Sequence, residues 1–187
     1  VGERFLDGRF SILYRGRDER AGLPVAIRHL ESYFTSEDAR VQTLREGRTL
    51  AQLRHPNLPR IRHLVSHMDD IYLVADEISG RTLAEEIEQE GAFEPELVRR
   101  YLKQLLQVVD FLHTQAQPII HRDLRPTSIL VSQHGTLRLA EFGLAKMGEA
   151  AAGKAATSFR SAGDPDFAAP EQLLGDTSSV KNDLYSV

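Results

Sequence analysis

The segment PELVRRYLKQLLQVVDFLH, residues 95–113, constrains the fold more than any other stretch of the chain. Val98, Leu102, Leu105, Val109 and Leu112 recur at gaps of four and three, the period of one helix face, and Pro95 suits a first helical turn. The spacing predicts a long helix with one continuous buried stripe. Such a helix needs an apolar surface to pack on. Upstream the period changes. FSILYRG and VAIRHL alternate at strand spacing around an AGLP turn, and RIRHLVSH and IYLVADEI repeat that pattern. Between the two pairs, TSEDARVQTLREGRTLAQL reads as a helix capped by Thr35 with Asp38 and stopped by HPN. A short acidic helix is expected over TLAEEIEQE. Further on, ILVS and TLRLA flank His134-Gly135 as a hairpin, and GEAAAGKAATSFRSAG reads as a mobile loop. The pattern predicts an α+β chain: an antiparallel-sheet N-terminal lobe with one major helix, residues 1–76, and a mainly helical lobe, residues 77–187.

Composition narrows what such a chain can do. With 187 residues and 41% hydrophobic content it can bury a core. Lys and Arg number 23 against 27 Asp and Glu, a net charge of -4, and no segment interleaves basic with aromatic residues, so nucleic acid is not an expected partner. No apolar run has bilayer-spanning length, and VGERFLDGRF lacks the pattern of a secretory signal, so the expected setting is cytoplasmic. The absence of cysteine excludes disulfides and thiolate chemistry. The histidines show no metal-ligand spacing with carboxylates, and surface or core roles are expected of them. The basic letters of RHPNLPRIRH read as an exposed face.

The ordered motifs resemble those of the eukaryotic-like protein kinase family, serine/threonine branch, over nearly the whole chain. LDGRFSIL stands at the Gly-rich loop, VAIR at VAIK, Glu46 at the glutamate of the N-lobe helix, and HRD at 121–123. EFG at 141–143 falls at the DFG position, AAPE at 168–171 at the APE box, and NDLYSV at the helix whose aspartate, here Asp183, braces the catalytic loop. The resemblance implies a bilobal kinase fold with an incomplete C-lobe. The family continues past NDLYSV and supplies an arginine for the APE glutamate, here Glu171, so the chain is expected to be a C-terminally truncated piece.

Carried over residue by residue, the resemblance shows a site altered at several positions. Arg28 replaces the lysine that holds phosphates and pairs with Glu46; a guanidinium keeps the charge but reaches differently. Two roles stand for it, a phosphate contact and a plain strut to Glu46, the second favoured. Of the loop glycines only Gly8 remains, with Leu6 and Ser11 in the other places. The metal positions carry Ser128 for asparagine and Glu141 for the DFG aspartate. Mg²⁺ demands near-ideal octahedral geometry, and the extra methylene of Glu141 displaces its carboxylate by about 1 Å. A misplacement of that order costs roughly 10²-fold in rate. Asp123, which accepts or orients the substrate hydroxyl proton in the family, is retained. Arg125 replaces the lysine two residues on, and Asp164 stands where the family has a neutral threonine, adding like-charge repulsion.

The apolar positions that sandwich adenine in the family persist as Leu13, Ala26 and Leu130, with Ala75 as the small gatekeeper and Asp76 and Glu77 beginning the hinge. Leu50, Ile61, His121 and Phe142 match a second apolar column. Two readings stand: ATP docks among these residues, or they pack together as ordinary core. Thr157, Ser158 and Ser161 lie in the activation-segment region, where a phosphate could pair with Arg122, although a solvated loop is the favoured reading. Two functions follow. The preferred one is a pseudokinase, a binding and allosteric module able to take ATP without Mg²⁺ and acting on a protein partner. The other is an atypical active serine/threonine kinase that transfers the γ-phosphate of ATP to hydroxyls of a protein substrate.

Overall fold

The computed structural model describes residues 4–7, 12–30, 36–68, 70–140, 165–174 and 179–187. Its larger sheet has five antiparallel strands in the order β1-β2-β3-β5-β4: β1 Arg4–Asp7, β2 Ile12–Asp18, β3 Leu23–Leu30, β4 Ile61–His67 and β5 Asp70–Asp76. The β2–β3 turn forms because the Asp18 carboxylate accepts the amides of Arg20 and Ala21, both at 3.0 Å. Those amides, Ala21 first, hold its pKa below the ordinary carboxylate range. Between the strand pairs runs α1, Glu37–Gln52, which packs on β4. Its cap is Ser36, whose hydroxyl accepts the Ala39 amide at 3.2 Å; the expected cap Thr35 lies outside the described residues. Val25, Leu30, Leu50, Ile61, Ile71 and Leu73 are buried here.

The second group of elements begins with β6, Arg81–Thr82, and α2, Leu83–Glu90, whose first turn is a full capping box between Thr82 and Glu85. Then come α3, Pro95–His113, a 3₁₀ turn at Pro126–Ser128, β7 Ile129–Val131 and β8 Leu137–Leu139, and two short helices, α4 Pro170–Leu174 and α5 Val180–Ser186. The sheet order is β6-β7-β8. Gly135 turns the β7–β8 hairpin at φ 70°, where the sequence places it. At Gly80, φ 152°, a Cβ would stand 2.1 Å from the carbonyl oxygen of Val131, so only glycine lets the chain enter β6 beside β7.

The buried face of α3 differs from the predicted stripe. Tyr101, Leu105, Val108, Val109 and Leu112 are buried, whereas Val98 and Leu102 are 46% and 41% exposed. At 100° per residue Leu102 stands about 60° to one side of Leu105, and Tyr101 and Val108 fill the arc on the other side. Val98, in the first turn, precedes the first buried position. Tyr101 escapes an aliphatic-only count, and it is held by Phe93, edge to face at 5.9 Å.

The described residues divide into two compact units. One contains the chain up to Arg54 together with Pro59–Glu77, and the other contains His55–Leu58 with Ile78 onward. The four-residue insertion belongs to the second unit for a clear reason. Asn57 donates through Nδ2 to Gln104 Oε1 at 2.9 Å and to the Leu137 carbonyl at 2.8 Å, and its own carbonyl accepts the Leu139 amide at 2.8 Å. His55 stacks on Phe111 at 5.0 Å, and burial pushes its imidazole below the ordinary range. HPN is thus more than a helix stop, and the exposed basic face expected of RHPNLPRIRH is interrupted by buried Asn57 and by Arg62, which pairs with Asp76.

Candidate functional site

Four of the expected cofactor positions share one face of the five-stranded sheet. Leu13 pairs with Arg28 and Ala26 with Ala75, and the two pairs are two residues apart along β3, so all four side chains lie on the same side. All four are half-buried. Asp76 and Glu77 follow at the end of β5. The Asp76 amide is committed to the Arg60 carbonyl at 2.9 Å and its carboxylate pairs with Arg62, while Glu77 pairs with Arg15 at 3.0 Å. Glu46 is buried on α1, and its carboxylate accepts Gln42 Nε2 at 2.7 Å. A buried carboxylate needs donors or a cation around it.

In the second unit, Leu130 lies half-buried on β7, opposite Arg138 and Thr82. The loop 121–128 begins with two backbone amides bound to one carboxylate. Asp183, on α5, accepts the His121 amide on Oδ2 and the Arg122 amide on Oδ1, each at 2.8 Å. His113 Nε2 is also 2.8 Å from Oδ2, a role the sequence did not reveal. Arg122 takes φ 70°, a left-handed conformation that residues with a Cβ seldom adopt. His121 is buried, with Nε2 donating to the Ala140 carbonyl at 2.8 Å. Asp123 follows, half-exposed, with Arg125 Nε 3.5 Å from its Oδ2.

Ser128 closes this loop on itself. Its hydroxyl donates to the Arg125 carbonyl at 2.9 Å and accepts the Arg125 amide at 3.1 Å, and the residue is 3% exposed. A hydroxyl has one proton and two lone pairs, so the proton and one lone pair are already committed. A single lone pair is what this side chain has left to offer a cation. The partner position Glu141, like Gly8, Ser11, Phe142, Asp164, the activation-segment residues and the expected mobile loop, lies outside the described residues. Among the described residues no three His, Asp or Glu converge as a metal-binding group. No described helix is long and apolar enough to cross a membrane.

Around the AAPE box the chain supplies partners that the sequence did not announce. Glu171 accepts Asn182 Nδ2 at 2.7 Å, so a partner for this carboxylate exists within the chain. Gln172 accepts the Ala169 amide at 3.1 Å and donates to the Arg122 carbonyl at 3.0 Å. Ser186 Oγ donates to the Phe167 carbonyl at 2.7 Å.

Comparison with known proteins agrees with the motif order. The family model described as Protein kinase domain matches residues 3–187. CBL-interacting protein kinase 33 of Oryza sativa is 30% identical over 174 residues, covering 92% of this chain and 38% of the relative. The probable serine/threonine-protein kinase PknB of Lactococcus lactis is 31% identical over 183 residues, covering 96% of this chain and 28% of the relative. A probable myosin light chain kinase of Dictyostelium discoideum is 29% identical over 190 residues, covering all of this chain and 53% of the relative. The chain thus spans roughly a quarter to a half of the length of these relatives.

Proposed function

Because the chain belongs to the protein kinase domain family, we propose that it is a pseudokinase, a binding and allosteric module with little or no phosphate transfer. The observation that carries this reading is the Ser128 hydroxyl, which is bound to the Arg125 backbone on both its donor and acceptor sides. The family places a metal ligand there, and here the side chain staples the loop instead. The substitution at Glu141 works in the same direction, since both expected ligands are altered together. We take Arg28 as the cation that balances buried Glu46, which makes it a strut and not a phosphate contact. If each altered element cost about 10²-fold independently, the combined loss would be on the order of 10⁶, although effects on one site are not additive.

ATP remains the proposed ligand, with the apolar face formed by Leu13, Ala26 and Ala75 and the residues Asp76 and Glu77 as its contacts in the first unit, and Leu130 proposed separately as a nucleotide contact of the second unit. The proposed setting of the chain is cytoplasmic, with a protein as its partner. The test is thermal stabilisation by ATP or ADP with and without Mg²⁺. The reading predicts that stabilisation, where present, is the same in both conditions; stabilisation only with Mg²⁺ contradicts it. A second reading, an atypical active serine/threonine kinase, is favoured by the retained Asp123 carboxylate beside Arg125 and by relatives that carry kinase names.

A further inference from the structure

Three short elements of the second unit are joined by a closed ring of hydrogen bonds. Arg122 donates its amide to Asp183 of α5 at 2.8 Å; the neighbouring Asn182, also on α5, holds Glu171 of α4 at 2.7 Å; and the next residue of α4, Gln172, returns to the Arg122 carbonyl at 3.0 Å. Gln172, Asn182 and Asp183 are 6%, 1% and 1% exposed. Adjacent residues on each helix thus split their contacts between the other two elements, and the ring closes on one residue, Arg122.

That residue has the strained backbone. A non-glycine at φ 70° persists only where its surroundings over-determine it. The peptide before Arg122 is fixed through its N–H by Asp183, and the peptide after it through its carbonyl by Gln172. The second of these peptides carries Asp123. We infer that Gln172 is a positioning residue: with Asn182 keeping α4 in register, its amide locks the Arg122–Asp123 peptide and so sets the direction in which the Asp123 carboxylate is presented. Gln172 suits the task because it has both a donor and an acceptor. Its Oε1 accepts the Ala169 amide at the start of α4, which fixes the amide plane, and that leaves Nε2 to face the loop. A carboxylate of the same size would put an acceptor against the Arg122 carbonyl. The inference concerns loop geometry and holds whether or not phosphate is transferred.

The test is amide hydrogen exchange on the full chain. Gln172→Met keeps the volume and removes both bonds; exchange of amides 121–125 is expected to accelerate tenfold or more, with α3 amides 101–112 unchanged. Gln172→Glu, which retains the acceptor but loses the donor, is expected to do the same and serves if the methionine variant does not fold. The discriminating arm uses Arg122→Gly, since glycine enters the left-handed region without strain. In that background, adding the Gln172 substitution is expected to change loop exchange less than threefold. Loop exchange unaltered by either Gln172 variant, or an equally large effect in the glycine background, overturns the inference.

Discussion

Ser128 and Arg125 hold each other across a single turn: the hydroxyl donates to the carbonyl at 2.9 Å and accepts the amide at 3.1 Å. Replacing the hydroxyl leaves the part-buried Arg125 amide without its acceptor. Ser128→Ala is therefore expected to lower stability by about 1–2 kcal/mol in urea denaturation. It is expected to leave the affinity for ATP with Mg²⁺ unaltered, because the side chain is a staple and not a ligand. A tenfold loss of that affinity, about 1.4 kcal/mol, would return Ser128 to the role the family gives this position.

Asp183 is the acceptor for three donors, the amides of His121 and Arg122 and the His113 ring. It is almost wholly buried, so water cannot easily take its place. Asp183→Ala is expected to cost about 3–5 kcal/mol in equilibrium unfolding, with the loop 121–125 exchanging near the global rate. A cost below about 1 kcal/mol would mean that the loop is held by other contacts.

Much of this arrangement could be read from the sequence because it depends on local chemistry. The four long strands, the short acidic helix α2, Pro95 opening α3 and Gly135 in its hairpin follow from residue type and spacing. The α3 face did not, since Tyr101 and Leu102 are adjacent in sequence and only the tertiary surface decides which turns inward. The roles of Gln172, Asn182 and His113 are not legible in the sequence either. Their partners lie 50, 11 and 70 residues away, and a polar residue carries no mark of a distant carbonyl or carboxylate. For Asp183 the signal was the family motif, and for Asn57 the HPN letters located the turn but not its bonds across to α3 and β8.

Glu85 gives a pH prediction with a definite sign. The Thr82 amide, and then the Thr82 hydroxyl, hold its carboxyl below the ordinary range. The folded value is depressed, so the box contributes its stabilisation above the unfolded pKa, and that contribution is lost as pH falls through the folded one. Acid unfolding of Glu85→Ala, followed by α2 amide exchange, should show less pH dependence than the parent between about pH 5 and pH 3. Equal slopes would show that the carboxylate is not coupled to folding.

Restoring the family residues tests whether the altered positions are what limits nucleotide handling. The triple variant Arg28→Lys, Ser128→Asn and Glu141→Asp is expected to acquire Mg²⁺-dependent ATP binding in calorimetric titration, with an affinity gain of tenfold or more, about 1.4 kcal/mol. No gain would mean that the eroded loop around Gly8 or another defect dominates.

Transfer of the γ-phosphate from labelled ATP in the presence of Mg²⁺, measured for the parent protein and for Asp123→Asn side by side, bears most directly on the proposed loss of catalysis. The pseudokinase account predicts that both proteins stay at background, far below the roughly 1–100 s⁻¹ of kinases. Turnover in the parent that depends on Mg²⁺ and disappears in Asp123→Asn would contradict it.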